Sequence, residues 1–312
     1  MTYFVAPIEE RRLHGIGILL LGQVALVLID PSAKWLGANG IPTTEIVFVR
    51  YAIHFGLTLG FFLPQVGRGL FVTRNLGLEV LRGLFLLSTT AFNFVAVQFL
   101  PLTTTGALMF TVPLIICALS IPLLGEHIGW RRWVAIAVGF AGILVIVRPG
   151  SASFQPAALL SLCGATGAAL YSIYTRRLAG LDTAATQQFY AALTAMVCVA
   201  PFAFSGWVWP HDPATWLAFG AVGVSGMIGH QLMTMAHRFA PASTLAPFTY
   251  LQIVHISIVS WLVFNQPPDI WIFLGAPIVI GSGLYIWLRE RSQSRPITRR
   301  RHPGLKRPGS QS

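Results

Sequence analysis

Ten apolar runs, each about as long as a bilayer is thick, limit what this chain can fold into. They fall at roughly 14–36, 44–64, 81–100, 103–125, 130–148, 157–178, 184–205, 215–237, 242–264 and 270–288. About 20 helical residues cross the hydrocarbon core. No water is present there to satisfy backbone N–H and C=O groups, so spanning segments are helices or closed barrels. Barrel strands alternate in polarity and do not give long unbroken apolar runs. The expected fold class is therefore all-α and polytopic, with ten transmembrane helices, here called spans 1 to 10. The first run is span-length and lacks a small-x-small cleavage site, so it is expected to stay as span 1. All nine tryptophans lie near predicted span ends, as in an interfacial aromatic belt.

A formal charge of +11 would suit a nucleic-acid partner, but the charges are in the wrong places for one. They sit between apolar runs and in the last two dozen residues. Arg11 and Arg12 precede span 1, and Arg68, Arg74 and Arg82 fall in the 2–3 connection. Arg131 and Arg132 lie between spans 4 and 5, Arg176 and Arg177 between 6 and 7, and Arg238 between 8 and 9. Eight more follow span 10, so 18 of the 21 basic residues share one side if both termini do. By the positive-inside rule that side is cytoplasmic, in a bacterial inner membrane. The opposite loops 37–43 and 206–214 carry no Lys or Arg. Short loops predict that sequential spans pack side by side. Cys117, Cys163 and Cys198 are scattered in apolar stretches, without the spacing of a disulfide framework or a metal site.

Residues 83–126 and 223–266 echo each other at a constant offset of 140. Gly83 pairs with Gly223, Ala96 with Ala236, Phe99 with Phe239 and Pro101 with Pro241. Thr104 pairs with Thr244, Ile116 with Ile256 and Ser120 with Ser260. Each run lies in a set of five spans, and an odd number per copy turns the second copy upside down. Inverted repeats are a mark of alternating-access transporters. The expected division is a first repeat over 1–148, a linker at 149–156, a second repeat over 157–290 and a basic disordered cytoplasmic tail over 291–312.

Residues 82–150 resemble the first EamA repeat of the drug/metabolite transporter superfamily. The resemblance rests on Arg82-Gly83, Pro101, Pro113, Leu124-Gly125-Glu126, Trp133, Gly139-x-x-Gly142 and Pro149-Gly150. The second half keeps Ala236, Pro241 and Gly281-x-Gly283. It departs at Gln266, where the first copy has Glu126, and at Ile253, opposite Pro113. The resemblance implies solute transport, with spans 1–4 and 6–9 lining a central site and spans 5 and 10 at the periphery. It says little about the solute.

Ionisable groups inside a span are costly and point to function. Asp30 and Arg50 both lie roughly 9 Å below the outer face by helix rise and could pair across spans 1 and 2. Lys34 and Glu45 could pair likewise, nearer the surface, or Lys34 could snorkel. Such pairs could simply pin two helices together. Arg50 and His54 are four apart, which puts His54 on the same stripe. A deeper polar set comprises Asn93, Tyr171, Tyr174, Gln187, Gln188, Tyr190, His230, Gln231, Tyr250, Gln252 and His255. Interhelical hydrogen bonds or a central cavity would satisfy them. Phe92, Phe110 and Phe248 could supply apolar walls to an amphipathic or aromatic solute. His54, His230, His255 or Asp30 could carry protons. Pro113, Pro247 and Pro277 each bend a span, and Pro113 and Pro247 are candidate gate elements. Glu126 beside Arg131 and Arg132 is expected to tie span 4 to span 5.

Two other classes compete. Gly223-Val224-Ser225-Gly226 matches the GxSG of rhomboid-type intramembrane proteases, with His255 as a base. A channel-like facilitator could share the cavity but would not saturate at low turnover or show exchange. No phosphate loop, carboxylate pair or metal-ligand cluster stands out, so no enzyme activity, cofactor or metal is expected. The expected partners are a small metabolite and the lipid bilayer, not nucleic acid. A homodimer stays open.

Overall fold

The computed structural model describes residues 12–124, 130–148, 154–178, 181–239, 248 and 251–293. Each of the ten apolar runs forms helix. Span 1 is α1 (Arg12–Leu26) and α2 (Ile29–Ala38). Span 2 is α3 (Thr43–Val66), extended by a 3₁₀ turn at Gly67–Phe71. Span 3 is α4 (Leu76–Phe99), and span 4 is α5 (Leu102–Met109) with α6 (Val112–Leu124). Then come α7 (Trp130–Val147), α8 (Ala157–Leu178), α9 (Ala184–Phe204) and α10 (Pro213–Phe239) for spans 5 to 8. Span 9 is described as α11 (Gln252–Phe264) and span 10 as α12 (Ile270–Gln293). Five of these helical runs are long and apolar enough to cross a bilayer unaided. The protein is a multi-pass membrane protein.

Among the described residues spans 1 and 4 are cut beside prolines, and span 9 has a turn at Leu251, whose N–H bonds the Phe248 carbonyl at 3.2 Å. Each of the cuts in spans 1 and 4 begins three or four residues upstream of a proline. Pro31 has no N–H to give to the Val27 carbonyl, and Pro113 has none for Met109. The chain tightens at both places into i→i−3 bonds, Leu28 N to Ala25 O at 3.2 Å and Thr111 N to Leu108 O at 3.0 Å. The cut at Pro113 is the bend expected there. The cut at Pro31 was not foreseen. Span 3 begins five residues earlier than expected, because Asn75 caps it by accepting the Leu78 N–H at 3.1 Å. Arg82 thereby moves out of the 2–3 connection and into a helix, where it is buried.

Sequential spans are not the main neighbours, contrary to the short-loop expectation. The most extensive pairings are α4 with α8, α7 with α12, α1 with α10 and α3 with α9. In span numbers these are 3–6, 5–10, 1–8 and 2–7. Exchanging the halves turns 3–6 into 1–8 and leaves 5–10 and 2–7 unchanged, as a two-fold relation requires. Glycine contacts repeat the relation, although Gly22 and Gly164 themselves are 142 rather than 140 residues apart. A Cβ on Gly22 would meet the Gly229 carbonyl at 3.3 Å and the Met233 nitrogen at 3.4 Å. One on Gly164 would meet the Thr89 carbonyl at 3.2 Å and the Asn93 nitrogen at 3.6 Å, both partners shifted by 140. At the 5–10 seam, Gly142 lies against Gly275 while the Ser282 hydroxyl donates to the Ala135 carbonyl. Those two contacts exchange under the same offset. Small residues let backbones approach where lipid offers no hydrophobic drive for helix association. The interleaved halves therefore pack across the repeat boundary more than within a repeat.

Candidate functional site

Spans 1, 2, 3 and 8 bring a polar cluster together inside this frame. The cut at Val27–Leu28 places Asp30 in the first turn of α2. Asp30 accepts a hydrogen bond from Asn93 Nδ2 of α4 at 3.0 Å. Arg50 of α3 is buried, and its Nη1 donates to the Thr90 hydroxyl. Its guanidinium lies over the rings of Tyr51 and Phe94, 5.0 and 5.6 Å from their centroids. Tyr51 OH is 2.6 Å from Thr90 Oγ1 and donates to the Leu86 carbonyl at 3.1 Å. From α10, Gly226 leaves room beside Arg50 Nε, which has no hydrogen-bond partner among the described residues. Asp30 and Arg50 thus act on each other electrostatically while being bonded to different neutral partners.

One turn along α3, His54 stacks on His230 of α10, with ring centroids 6.5 Å apart and planes 17° apart. Neither His54 nitrogen makes a well-aligned hydrogen bond among the described residues, and the Gln188 side chain of α9 is the neighbour within reach. The stripe expected from the Arg50–His54 spacing is therefore present, and span 8 closes over it.

A second focus gathers around Arg82 of α4. Its Nε donates to Thr175 Oγ1 at 2.7 Å, Nη1 to the Gln187 carbonyl at 2.8 Å and Nη2 to Tyr171 OH at 2.7 Å. Tyr171 and Gln187 thus meet each other's elements through Arg82. Gln252 opens α11 and is half-buried, and no described contact joins it to either focus. Tyr250, Pro247 and Glu126 lie outside the described residues.

The expected Lys34–Glu45 pair does not form. Lys34 Nζ donates instead to the Leu100 carbonyl at 2.6 Å, at the end of span 3, where Leu100 is extended before Pro101 and its carbonyl has left the helix. Glu45 accepts the Val208 N–H at 2.8 Å from the 7–8 loop. Phe94 rather than Phe92 stands beside the charges; Phe92 is 39% exposed on the outer surface. Ser225 donates to the Ala221 carbonyl of its own helix, and the flanking glycines pack against Ile53 and Arg50. The GxSG match is therefore a helix-packing feature. Three important residues were passed over in the sequence. Pro31 was legible from its position in an apolar run. Thr90 and Glu79, a buried carboxylate of α4, carried no signal above the background of span residues.

The EamA-like transporter family model matches residues 13–148 and again 155–288. The chain belongs to the EamA-like transporter family. It is 29% identical over 283 residues to an S-adenosylmethionine uptake transporter of Rickettsia prowazekii, covering 90% of this chain and 95% of that one. It is 28% identical over 294 residues to a riboflavin transporter of Vibrio cholerae, covering 92% and 97%. A solved crystal structure shares the fold with a TM-score of 0.60 at 20% identity, over 91% of this chain and 99% of that one.

Proposed function

We propose that this chain is a secondary transporter that carries a small organic metabolite across the bacterial cytoplasmic membrane by alternating access. The observation that carries the reading is a polar cluster built by spans of both halves, Asp30–Asn93 and Arg50–His54–His230, at the heart of a two-fold helix packing. In such a frame the halves can rock about a fixed central site. The names of the relatives, which carry S-adenosylmethionine and riboflavin, support a solute of that size class. Arg50 and Asp30 offer opposite charges to a polar part of the solute, and Tyr51 and Phe94 offer ring faces to an aromatic part. The cuts in spans 1 and 4 supply hinges. The positive-inside charges favour cytoplasmic termini.

The test is a thermal-shift screen of the detergent-purified chain against amino acids, vitamins, nucleosides, S-adenosylmethionine and riboflavin. A ligand of the folded state raises the melting temperature by mass action. A hit lost in Asp30→Asn or Arg50→Ala, with the apo melting temperature unchanged, is the expected result. A hit that survives both changes moves the site to the Tyr171–Gln187 focus. Saturable counterflow of the hit in proteoliposomes separates a carrier from a channel.

A further inference from the structure

Glu79 has no part in the cluster above, yet its setting is the least comfortable of any carboxylate in the described structure. It sits in the first turn of α4 with no exposed surface, and neither carboxyl oxygen has a hydrogen-bond partner among the described residues. Buried carboxylates ordinarily accept several hydrogen bonds or are not ionised. The nearest cation is Arg82, one turn on, with Nη1 3.8 Å from Glu79 Oε2. That guanidinium has already given a hydrogen bond from each of its three nitrogens to Thr175, Gln187 and Tyr171. Arg82 therefore acts on Glu79 by charge, and Asp182 is near enough to share a hydrogen bond with Glu79 when one of the two is protonated.

The other groups facing it are few. Asp182, in the turn before α9, is near enough for its charge to act on Glu79. Asp182 is itself half-buried and anchored by the Thr73 hydroxyl at 2.5 Å and the Arg74 backbone N–H at 3.0 Å. From α8 comes Tyr171, through Arg82. A second carboxylate of like charge and a guanidinium bonded elsewhere leave a buried acid with two possible states. As the anion it balances Arg82. As the neutral acid it can donate to Asp182. A cation such as sodium would need a shell of oxygen ligands, and Arg82 repels it.

We propose that Glu79 is a proton-binding site that couples protonation to the seam between spans 3, 6 and 7. The step is a simple acid–base one: a proton from the aqueous loop side, relayed past Asp182, adds to a Glu79 oxygen, and no other bond changes. Arg82 then loses the charge that balanced it. An uncompensated buried guanidinium is costly, so the protonated state destabilises the seam that Arg82 joins through Thr175, Gln187 and Tyr171. This rests on the transport reading only for its purpose, which is to let a proton gradient drive the solute.

The test needs no solute, so its failure and that of the transport reading are distinguishable. Infrared difference spectroscopy of the full chain in lipid nanodiscs, stepped between alkaline and acidic pH, reads carboxyl protonation directly. A protonated-carboxyl band that appears on acidification, persists in Asp30→Asn and disappears in Glu79→Gln is expected. Hydrogen exchange at residues 171–190, corrected for the intrinsic pH effect, reads the seam. Protection should fall several-fold on acidification in the unaltered chain. In Glu79→Gln it should be low at both pH values, with an unchanged helical circular dichroism spectrum showing that the variant folds. Replacing sodium by potassium should alter neither readout. A band that persists in Glu79→Gln, protection that ignores pH, or a sodium dependence each overturns the proposal.

Discussion

In the first repeat span 1 is cut at Val27–Leu28 and span 4 at Phe110–Thr111; in the second, span 6 runs unbroken from Ala157 to Leu178. The charges divide the same way. At the offset of 140, Glu45 corresponds to Ala185, Arg50 to Tyr190, Glu79 to Phe219 and Arg82 to Val222. Among the described residues the first copy holds the buried ionic groups and the cuts beside prolines, while span 9 repeats the span 4 turn at Leu251, where Leu251 N donates to Phe248 O at 3.2 Å. The second supplies neutral partners to them: the Gln187 carbonyl, Tyr171, His230, the Val208 N–H and the space beside Gly226. The backbone contacts nonetheless keep the two-fold relation, as the Gly22 and Gly164 pair shows. Close packing depends on small residues at matched positions, which both copies can retain. Buried charge is expensive wherever it occurs, so one set, shared across the boundary, satisfies a site that both halves enclose.

The carboxylates at the loops show the relation on a smaller scale. Glu45 opens span 2 and takes a backbone N–H from the 7–8 loop, while Asp182, just before span 7, takes one from the 2–3 loop. These are equivalent latches, one at each face of the membrane.

The sharpest way to break the comparison is at Arg82 and its counterpart. Arg82→Ala strips three hydrogen bonds and leaves Glu79 unbalanced, a loss of about 3–5 kcal/mol. Val222→Ala removes packing alone and should cost about 1 kcal/mol. Melting temperatures in one detergent compare them, and equal losses would refute the unequal division of charge.

The next effect tests what the copies share. A Cβ on Gly275 would lie 2.7 Å from the Gly142 carbonyl, and one on Gly142 would lie 3.0 Å from the Gly275 carbonyl. Gly275→Ala and Gly142→Ala should each lose about 1–3 kcal/mol by overpacking. Gly281→Ala, which meets nothing within 4 Å, should leave the melting temperature unchanged.

Smaller again is Pro31→Ala. It returns an N–H to the Val27 carbonyl and should raise stability by about 1 kcal/mol. That is below the roughly 3 kcal/mol of a proline in an unbroken helix, because the i→i−3 bonds already compensate in part. Hydrogen exchange across residues 27–32 should slow. Unchanged exchange would mean that tertiary contacts, not the proline, hold the cut open.

The smallest effect lies at the caps of the equivalent spans 3 and 8. Asn75 caps α4 without charge. Asp212 precedes α10 and accepts the Thr215 hydroxyl at 2.5 Å and its N–H at 2.9 Å, which hold its pKa below the ordinary 3.8. A carboxyl with a lowered folded pKa contributes stability in full above its unfolded value and loses it as the pH falls through the folded one. Asp212→Asn should therefore lower the melting temperature slightly at neutral pH and not at all below the folded pKa. Asn75→Asp should introduce the same pH dependence in span 3.

Much of this was legible along the chain. Span positions follow from apolar run length, because the bilayer tests each segment separately for its ability to satisfy its own backbone. The repeat offset and the odd span count per copy fixed the inversion. Pro31 and Pro113 mark the cuts in spans 1 and 4, although Pro31 was not read that way, while the turn at Leu251 in span 9 has Ile253 where Pro113 stands. The partners of the buried charges were not legible. Helix rise put Lys34 near Glu45 and Asp30 near Arg50 in depth, but depth says nothing about rotation or about which span intervenes. Span 3 lies against span 1, so Lys34 found the Leu100 carbonyl and Asp30 found Asn93. Spans 6 and 7 close on span 3, so Arg82 became a buried junction and Glu79 was left beside it, facing Asp182. Those outcomes depend on contacts between segments far apart in sequence, and only the packing of the two halves decides them.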